Sequence, residues 1–147
     1  PDPRLDLGGT DVMRKIMILA RESGEQMEME DISNNSFMPE SCMTGSVEDF
    51  YAAMEKEETH FKKILDAAKA AGKKLKFVAS YDKGKAAVGL QQVDEQSDFY
   101  HLYGKDNVVL FYTDRYPEQP LVVKGAGAGA AVTASGVFAD IIRAAAN

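Results

Sequence analysis

The chain has 147 residues, of which 45% are hydrophobic and 27% charged, and its formal net charge is −6. This length predicts a single domain with a substantial core, and the acidic balance argues against a broad nucleic-acid interface, because phosphate binding needs clustered lysines and arginines. The one cysteine, Cys42, excludes an internal disulfide and favours a reducing compartment such as the cytoplasm.

No stretch of the sequence predicts a membrane span or a signal peptide. The longest uncharged stretch, residues 125–139, is shorter than the roughly 20 residues that a spanning helix needs, and no apolar run follows the amino terminus. Because the chain starts with Pro1 rather than Met, we expect it to be a piece of a longer protein.

The first third of the chain predicts a helix, a strand and a loop. Residues 1–9 contain two prolines and two glycines and are expected to be extended or turn-like. Apolar residues spaced i, i+4 and i+7 predict a helix from Asp11 that Gly24 ends. Alternating methionines and acids predict a half-buried strand over residues 27–32, and residues 33–45 are typical of a loop.

Two more helices are predicted after this loop. Ser46 and Asp49 form a capping-box pattern at the start of the first of them. A charged break at residues 55–58 separates it from the second, which apolar residues over 61–68 predict and Gly72 closes.

The second half of the chain predicts strands followed by one helix. Alternating and β-branched residues predict four strands, at residues 75–81, 85–93, 107–113 and 121–123. A hairpin turn ending in Gly84 joins the first two strands, and a glycine–alanine turn leads from the last strand into the helix. Since the helices come first and the strands are consecutive, the sequence predicts an α+β fold: one largely antiparallel or mixed sheet with helices on one face.

Three residues near the amino terminus form the first candidate site. Asp11 and Lys15 lie four residues apart on the predicted first helix, so their side chains project from the same side. One interpretation, which spacing alone favours, is a surface ion pair that contributes about 0.3–0.5 kcal/mol. The other is a polar site shared with Asp6 at a helix amino terminus, where a carboxylate binds an ammonium group and a lysine holds or protonates an oxygen.

The second candidate is the glycine–alanine run at residues 125–130, which follows an apolar strand and opens a helix. It matches the dinucleotide-binding pattern G-x-G-x-x-G/A loosely. Only 17 residues follow Ala130, so no second strand can follow to carry the acidic residue that holds a ribose. The run is therefore expected to be a tight turn that serves packing or lets the backbone approach a ligand.

The remaining reactive side chains predict no further site. His60 and His101 have no second His or Cys at ligand spacing, so no metal site is expected. Cys42 lacks a nucleophile signature, and the methionines are expected to fill gaps in the core.

Two segments resemble the homoserine dehydrogenase family. The segment from Pro3 to Lys15 matches the family signature P-x-x-D-[LIVM]-x-G-x-D-x-x-x-K at every specified position. The segment from Pro120 to Asp140 is similar to the family's C-terminal glycine turn and final helix. Residues 11–22 look more like the form fused behind an aspartate kinase than the single-function form. The resemblance covers nearly the whole chain.

This resemblance implies a division of the chain by role. Residues 1–124 correspond to the family's substrate-binding and dimerisation domain. Residues 125–147 correspond to the glycine turn and the C-terminal helix that returns to the nucleotide-binding Rossmann domain, which lies outside this chain. The resemblance also implies a homodimer or a higher homo-oligomer, and a small-molecule substrate rather than a nucleic-acid or membrane partner.

The family interconverts L-aspartate 4-semialdehyde and L-homoserine with NADP or NAD, in the branch that leads to threonine and methionine. Carried over by position, Asp6 and Asp11 line the substrate site and Lys15 contacts the reacting substrate, which makes Asp11 and Lys15 the implied catalytic residues. Which lysine donates the proton stays open. The segment near the nicotinamide corresponds to Gly127, Ala128, Gly129 and Thr133.

Because the dinucleotide fingerprint is missing, we expect this chain alone to bind the cofactor weakly or not at all and to lack dehydrogenase activity. The alternative is a non-catalytic module that binds an amino acid or dimerises through its sheet. A cleft shared by Asp6, Asp11 and Lys15 favours the enzyme, whereas a flat, exposed Asp11–Lys15 pair favours the module.

Overall fold

The structure, a computed structural model, describes residues 2–104 and 106–146. The chain divides into two compact units, Pro1–Glu95 and Gln96–Asn147, which we call the first and second units. The helices are α1 (Arg4–Leu7), α2 (Thr10–Glu22), α3 (Val47–Lys56), α4 (Glu58–Ala70) and α5 (Ala130–Ala146). The strands are β1 (Ile32–Asn35), β2 (Lys74–Asp82), β3 (Lys85–Val93), β4 (Asp106–Thr113) and β5 (Tyr116–Ala126). These helices and small mixed sheets confirm the predicted α+β class.

A three-stranded sheet in the order β1-β3-β2 forms the centre of the first unit. β2 and β3 form an antiparallel hairpin. Its turn residues, Lys83 and Gly84, both have positive φ angles of 48° and 79°, as a two-residue hairpin turn of the primed type requires. β1 pairs in parallel with the other edge of β3, with Ile32 opposite Ala86. β4 and β5 pair only with each other, so two sheets replace the single predicted sheet.

Two separate cores stabilise the first unit. The first packs α2 against the three-stranded sheet, and its buried members are Ala20, Met27, Ile32, Ala86 and Val88. The second lies around α3 and the segment before it, and its buried members are Met38, Cys42 and Phe50. The expectation that methionines fill gaps in the core is confirmed for Met27 and Met38, and Cys42 is fully buried beside Met38.

The amino-terminal segment is more regular than predicted. Residues 4–7 form the single-turn helix α1 where an extended or turn-like segment was expected. Asp2 accepts hydrogen bonds from the backbone N–H and the side chain of Arg4, and Pro3 holds φ at −65°, which suits the first turn of a helix.

The strand predicted over residues 27–32 is also displaced. Residues Met29–Asp31 form a 3-10 turn that a Glu28–Asp31 capping box closes, and β1 begins only at Ile32. The alternation of methionines and acids therefore belongs to a capped turn with one buried methionine, Met27, and not to a hydrogen-bonded β-strand.

The second unit contains the antiparallel β4–β5 pair and α5. β5 is much longer than the predicted strand at residues 121–123, because Pro117 and Pro120 interrupt the sequence pattern but are tolerated in a strand with an open edge. No described residue of this unit is buried. Among residues 2–104 and 106–146, no helix combines the length and apolar character needed to cross a membrane.

Candidate active site

α1 and the start of α2 line an open hollow on the surface, with a volume of about 420 Å³. Its lining residues are Asp2, Pro3, Leu5, Asp6, Asp11 and Arg14. The structure therefore brings Asp6 and Asp11 together, although the sequence separates them by the junction between two helices. Asp2 and Arg14 are members of the hollow that the sequence pattern did not single out.

Lys15 reaches this hollow through Asp11. Its Nζ lies 2.7 Å from Asp11 Oδ2, and the two side chains are 55% and 49% exposed. Such an exposed i, i+4 pair contributes only about 0.3–0.5 kcal/mol to stability. The ammonium group is consequently weakly held and can exchange Asp11 for another acceptor nearby.

The other charged groups of the hollow differ in how far they are already paired. Asp2 is hydrogen-bonded to the Arg4 guanidinium, which lowers the pKa of the Asp2 carboxyl. Asp6 and Arg14, in contrast, make no side-chain hydrogen bond or ion pair within the described part of the chain. Carboxylates accept strong hydrogen bonds from an ammonium group, and a guanidinium donates them to a carboxylate. Asp6 and Asp11 could therefore bind the amino group of a small amino acid, and Arg14 its carboxylate.

The junction between α1 and α2 is held from below by Asn34 on β1. Asn34 Nδ2 donates a 2.8 Å hydrogen bond to the Gly8 carbonyl. Gly9 is buried with φ at 89°, and a Cβ there would lie 3.0 Å from the Phe77 ring and 3.3 Å from Asn34 Oδ1. Only glycine meets both demands. Gly8 and Gly9, which predicted a break, thus join the two helices that line the hollow and contact the sheet beneath them. Nothing local in the sequence indicates that Asn34 is their partner.

The glycine turn lies in the second unit, between the end of β5 at Ala126 and the start of α5 at Ala130. Gly127 has no room for a Cβ, which would overlap the Asn107 side chain, and Gly129 has φ at 133°. The Thr133 N–H donates a 3.0 Å hydrogen bond to the Gly129 carbonyl in the first turn of α5.

This turn fits the approach of a ligand to the backbone. Residues 127 and 128 are exposed, and the following helix presents unpaired N–H groups at its amino end. Residues 130–146 form one helix, so the described chain has no strand beyond the turn, and a full dinucleotide fold is not completed there.

The histidines lie elsewhere. His60 Nε2 is 2.9 Å from the Phe37 carbonyl, where it joins α4 to the loop before α3. His101 stacks edge-on with Tyr100, at a ring distance of 5.2 Å. His60 is not among the residues that line the hollow.

Comparison with known proteins identifies relatives over nearly the whole chain, including both candidate segments. The sequence profile of the homoserine dehydrogenase family matches residues 1–142. The chain is 43% identical over 146 residues to the maize (Zea mays) bifunctional aspartokinase/homoserine dehydrogenase 2, chloroplastic, which covers 97% of this chain and 16% of that protein. It is 42% identical over 151 residues to a homoserine dehydrogenase of Paracoccidioides brasiliensis, which covers 97% of this chain and 40% of that protein. The chain thus spans less than half the length of these relatives.

A solved structure matches the fold closely. A Candida auris protein described as being of unknown function aligns with a TM-score of 0.85 at 40% identity. The alignment covers 97% of this chain and 40% of that one, so the same fold occurs there within a larger chain.

Proposed function

The chain belongs to the homoserine dehydrogenase family, and we propose that it forms the substrate-binding part of an oxidoreductase that interconverts L-homoserine and L-aspartate 4-semialdehyde. In this proposal residues 1–124 bind substrate and dimerise, and residues 125–147 face a nucleotide-binding domain. The observation that carries it is the hollow shared by Asp6 and Asp11, with Lys15 bonded to Asp11 at its margin.

The charges of the hollow match the groups of the proposed substrate. Asp6 and Asp11 receive its amino or hydroxyl group, since carboxylates accept strong hydrogen bonds from both. Lys15 leaves Asp11 to contact the reacting oxygen. When the aldehyde is reduced, that oxygen becomes an alkoxide, and an ammonium group within hydrogen-bond distance stabilises or protonates it.

The cofactor is proposed to be NADP or NAD. A bound nicotinamide supplies the hydride, and Gly127, Ala128, Gly129 and Thr133 border its position. The exposure of residues 127 and 128 and the positive φ of Gly129 support this, because no residue of the turn before α5 carries a side chain larger than a methyl group.

The second unit supports the proposed assembly. Its strands and helix expose Val122, Val123, Phe138 and Ile141, at 44% to 63% exposed. We infer that the β4–β5 sheet meets a second copy of the chain and that α5 packs on the nucleotide-binding domain. A full-length protein that sediments as a monomer contradicts the first inference.

We propose that the full-length protein acts in the cytoplasm on the branch towards threonine and methionine. The similarity to the bifunctional maize protein supports an aspartokinase upstream.

Lys15 provides the sharpest test of this function. In the full-length protein, Lys15→Ala should lower kcat by about 100-fold or more, since general acid catalysis typically contributes that much. The matched control is Lys62→Ala, which removes an equivalent i, i+4 pair with Asp66 on α4 and should leave kcat unchanged. Unchanged kcat in Lys15→Ala removes this lysine from the mechanism.

The isolated 147-residue chain should show no turnover of the semialdehyde and weak or no NADPH binding. Spectrophotometric assay and calorimetric titration measure both quantities. Turnover by the purified chain contradicts the proposal that a separate nucleotide-binding domain is needed to bind the cofactor.

A non-catalytic module that binds an amino acid or dimerises is the second candidate. The half-exposed Asp11–Lys15 pair favours it, because a catalytic lysine is commonly more enclosed. If the full-length protein binds homoserine without turnover, this candidate replaces the enzyme.

A further inference from the structure

Arg4 makes the most extensive side-chain contacts near the hollow. Its Nε donates to both carboxylate oxygens of Asp2, at 2.9 and 3.0 Å, and its Nη2 lies 2.8 Å from Asp2 Oδ2. Its Nη1 donates to the carbonyl of Gly45 at 2.9 Å. The Arg4 side chain is only 15% exposed, so this guanidinium is largely sheltered from solvent.

The bond to Gly45 ties α1 to a rigid part of the first unit. Gly45 immediately precedes Ser46, which caps α3 in a reciprocal capping box with Asp49. α3 is in turn fixed by Phe50, which is 1% exposed in the second core. The position of α1 is therefore set with respect to the start of α3, through a bond between residues 41 positions apart in the chain.

α1 has little stability of its own. It has four residues and fully buries none of them, although Leu7 packs against the second core, and so short a helix is unstable by itself. Asp6 has no side-chain partner within the described residues, so its carboxylate lies wherever the backbone of α1 places it. That backbone is fastened at its start by Arg4 and at its end by the bond from Asn34 to Gly8.

We propose that Arg4 is a positioning residue, whose bridge from Asp2 to the Gly45 carbonyl holds α1 so that Asp6 faces Asp11 and Lys15 across the hollow. Arginine suits this role because its planar fork donates to a carboxylate and to a carbonyl at once, which the single ammonium of lysine does not reproduce. The inference rests on the proposed function, which it extends to a residue that does not itself line the hollow.

The test uses the full-length protein and a matched arginine. Arg21 at the far end of α2 also bridges a carbonyl and a carboxylate, with Nε 2.8 Å from the Met27 oxygen and Nη2 2.7 Å from Glu28 Oε2. Arg4→Ala should lower kcat/KM for the amino-acid substrate by about 10- to 100-fold, because misplacing a reacting group by about 1 Å costs that much. The KM for the cofactor should stay unchanged, and Arg4→Lys should recover part of the loss.

Arg21→Ala should leave kcat/KM unchanged when rates are expressed per folded molecule. Equal losses in Arg4→Ala and Arg21→Ala indicate a merely structural role and overturn the proposal. So does wild-type kcat/KM in Arg4→Ala.

A double-mutant cycle tests whether Arg4 acts through Asp6. If it does, adding Arg4→Ala to Asp6→Asn should cost at most about twofold in kcat/KM, since the group it positions is already lost. A full 10- to 100-fold loss in the Asp6→Asn background contradicts the proposal.

Hydrogen exchange separates failure of this proposal from failure of the proposed function. Wild-type protein without turnover contradicts the function alone. Independently of turnover, Arg4→Ala should speed exchange of the Leu7, Gly8 and Gly9 amides, which bond within α1 and its end, whereas Arg21→Ala should not. Unchanged exchange of these amides overturns the positioning role.

Discussion

The two units of the chain place their apolar side chains in opposite ways. The first unit buries Phe50 and Val88 to 1% exposure, and its first core joins α2 to strands that lie further along the chain. The second unit buries no described residue, and Phe138 and Ile142 on α5 are 63% and 54% exposed. The first unit is therefore organised by its own core, whereas the second leaves large apolar side chains exposed among its described residues.

This contrast places the two candidate site segments differently. The Asp6–Asp11 hollow lies on a unit with its own core, and so its geometry is an intrinsic property of that unit. The glycine turn lies on a two-stranded sheet, and such a pair has little stability of its own in water. Its conformation should become fixed when the surfaces of α5 and β5 are covered.

Truncation of one phenylalanine in each unit tests the contrast most strongly. Phe50→Ala should destabilise the first unit by about 3–5 kcal/mol, because it leaves a cavity in a closed core. Phe138→Ala should change stability by less than about 0.5 kcal/mol in the isolated chain. Urea unfolding measures both. A large loss for Phe138→Ala means that the second unit has a core of its own.

Replacing one glycine in each unit should change the free energy of unfolding less than Phe50→Ala does, and with opposite sign in the two units. Gly9→Ala should cost about 2 kcal/mol or more, because the left-handed backbone and the contact with Phe77 both resist a Cβ. Gly136→Ala, in the interior of α5 with open space around it, should stabilise that helix by up to about 1 kcal/mol. Circular dichroism during thermal unfolding reports both, and equal signs contradict the contrast.

Acid titration gives the smallest effect. The hydrogen bond from Arg4 lowers the pKa of Asp2 below its ordinary value of 3.8, so the stabilisation is complete above that value and is lost as the pH falls through the lowered pKa of the folded state. Asp2→Asn should therefore lower the thermal midpoint near neutral pH and converge with the wild type in strong acid.

The control for this titration is Asp140→Asn in the second unit. Asp140 meets Arg143 at 3.4 Å with both side chains more than three quarters exposed, and solvent screens such a pair. Its curve should follow the wild type at every pH. Parallel curves for Asp2→Asn and the wild type throughout mean that the Asp2–Arg4 pair adds no stability.

Local rules predicted the parts of the fold whose partners are close in sequence. The Ser46–Asp49 capping box and the turn ending in Gly84 both form as expected, because each is decided within four residues. The parallel pairing of β1 and the separation of β4–β5 into another sheet were missed. Both depend on which strands come together across long stretches of chain, and the pattern within one strand carries no information on its partner.

The candidate site divides in the same way. Spacing predicted the Asp11–Lys15 contact, and the polar-site interpretation already included Asp6, but nothing in the sequence pattern pointed to Arg14. The hydrogen bond from Arg4 to the Gly45 carbonyl could not be predicted from residue spacing either, because the acceptor is a backbone oxygen far along the chain. Side-chain bonds to distant backbone leave no spacing signature.

The parallel ladder between β1 and β3 governs the order in which the first unit can assemble. The β2–β3 hairpin joins neighbours in sequence, whereas β1 must close a long loop that contains α3 and α4 before it can pair. Asn34, which holds the α1–α2 junction, arrives with β1. During synthesis the residues of the hollow thus leave the ribosome well before β3, yet they acquire their arrangement only after Val93, at the end of β3, has emerged.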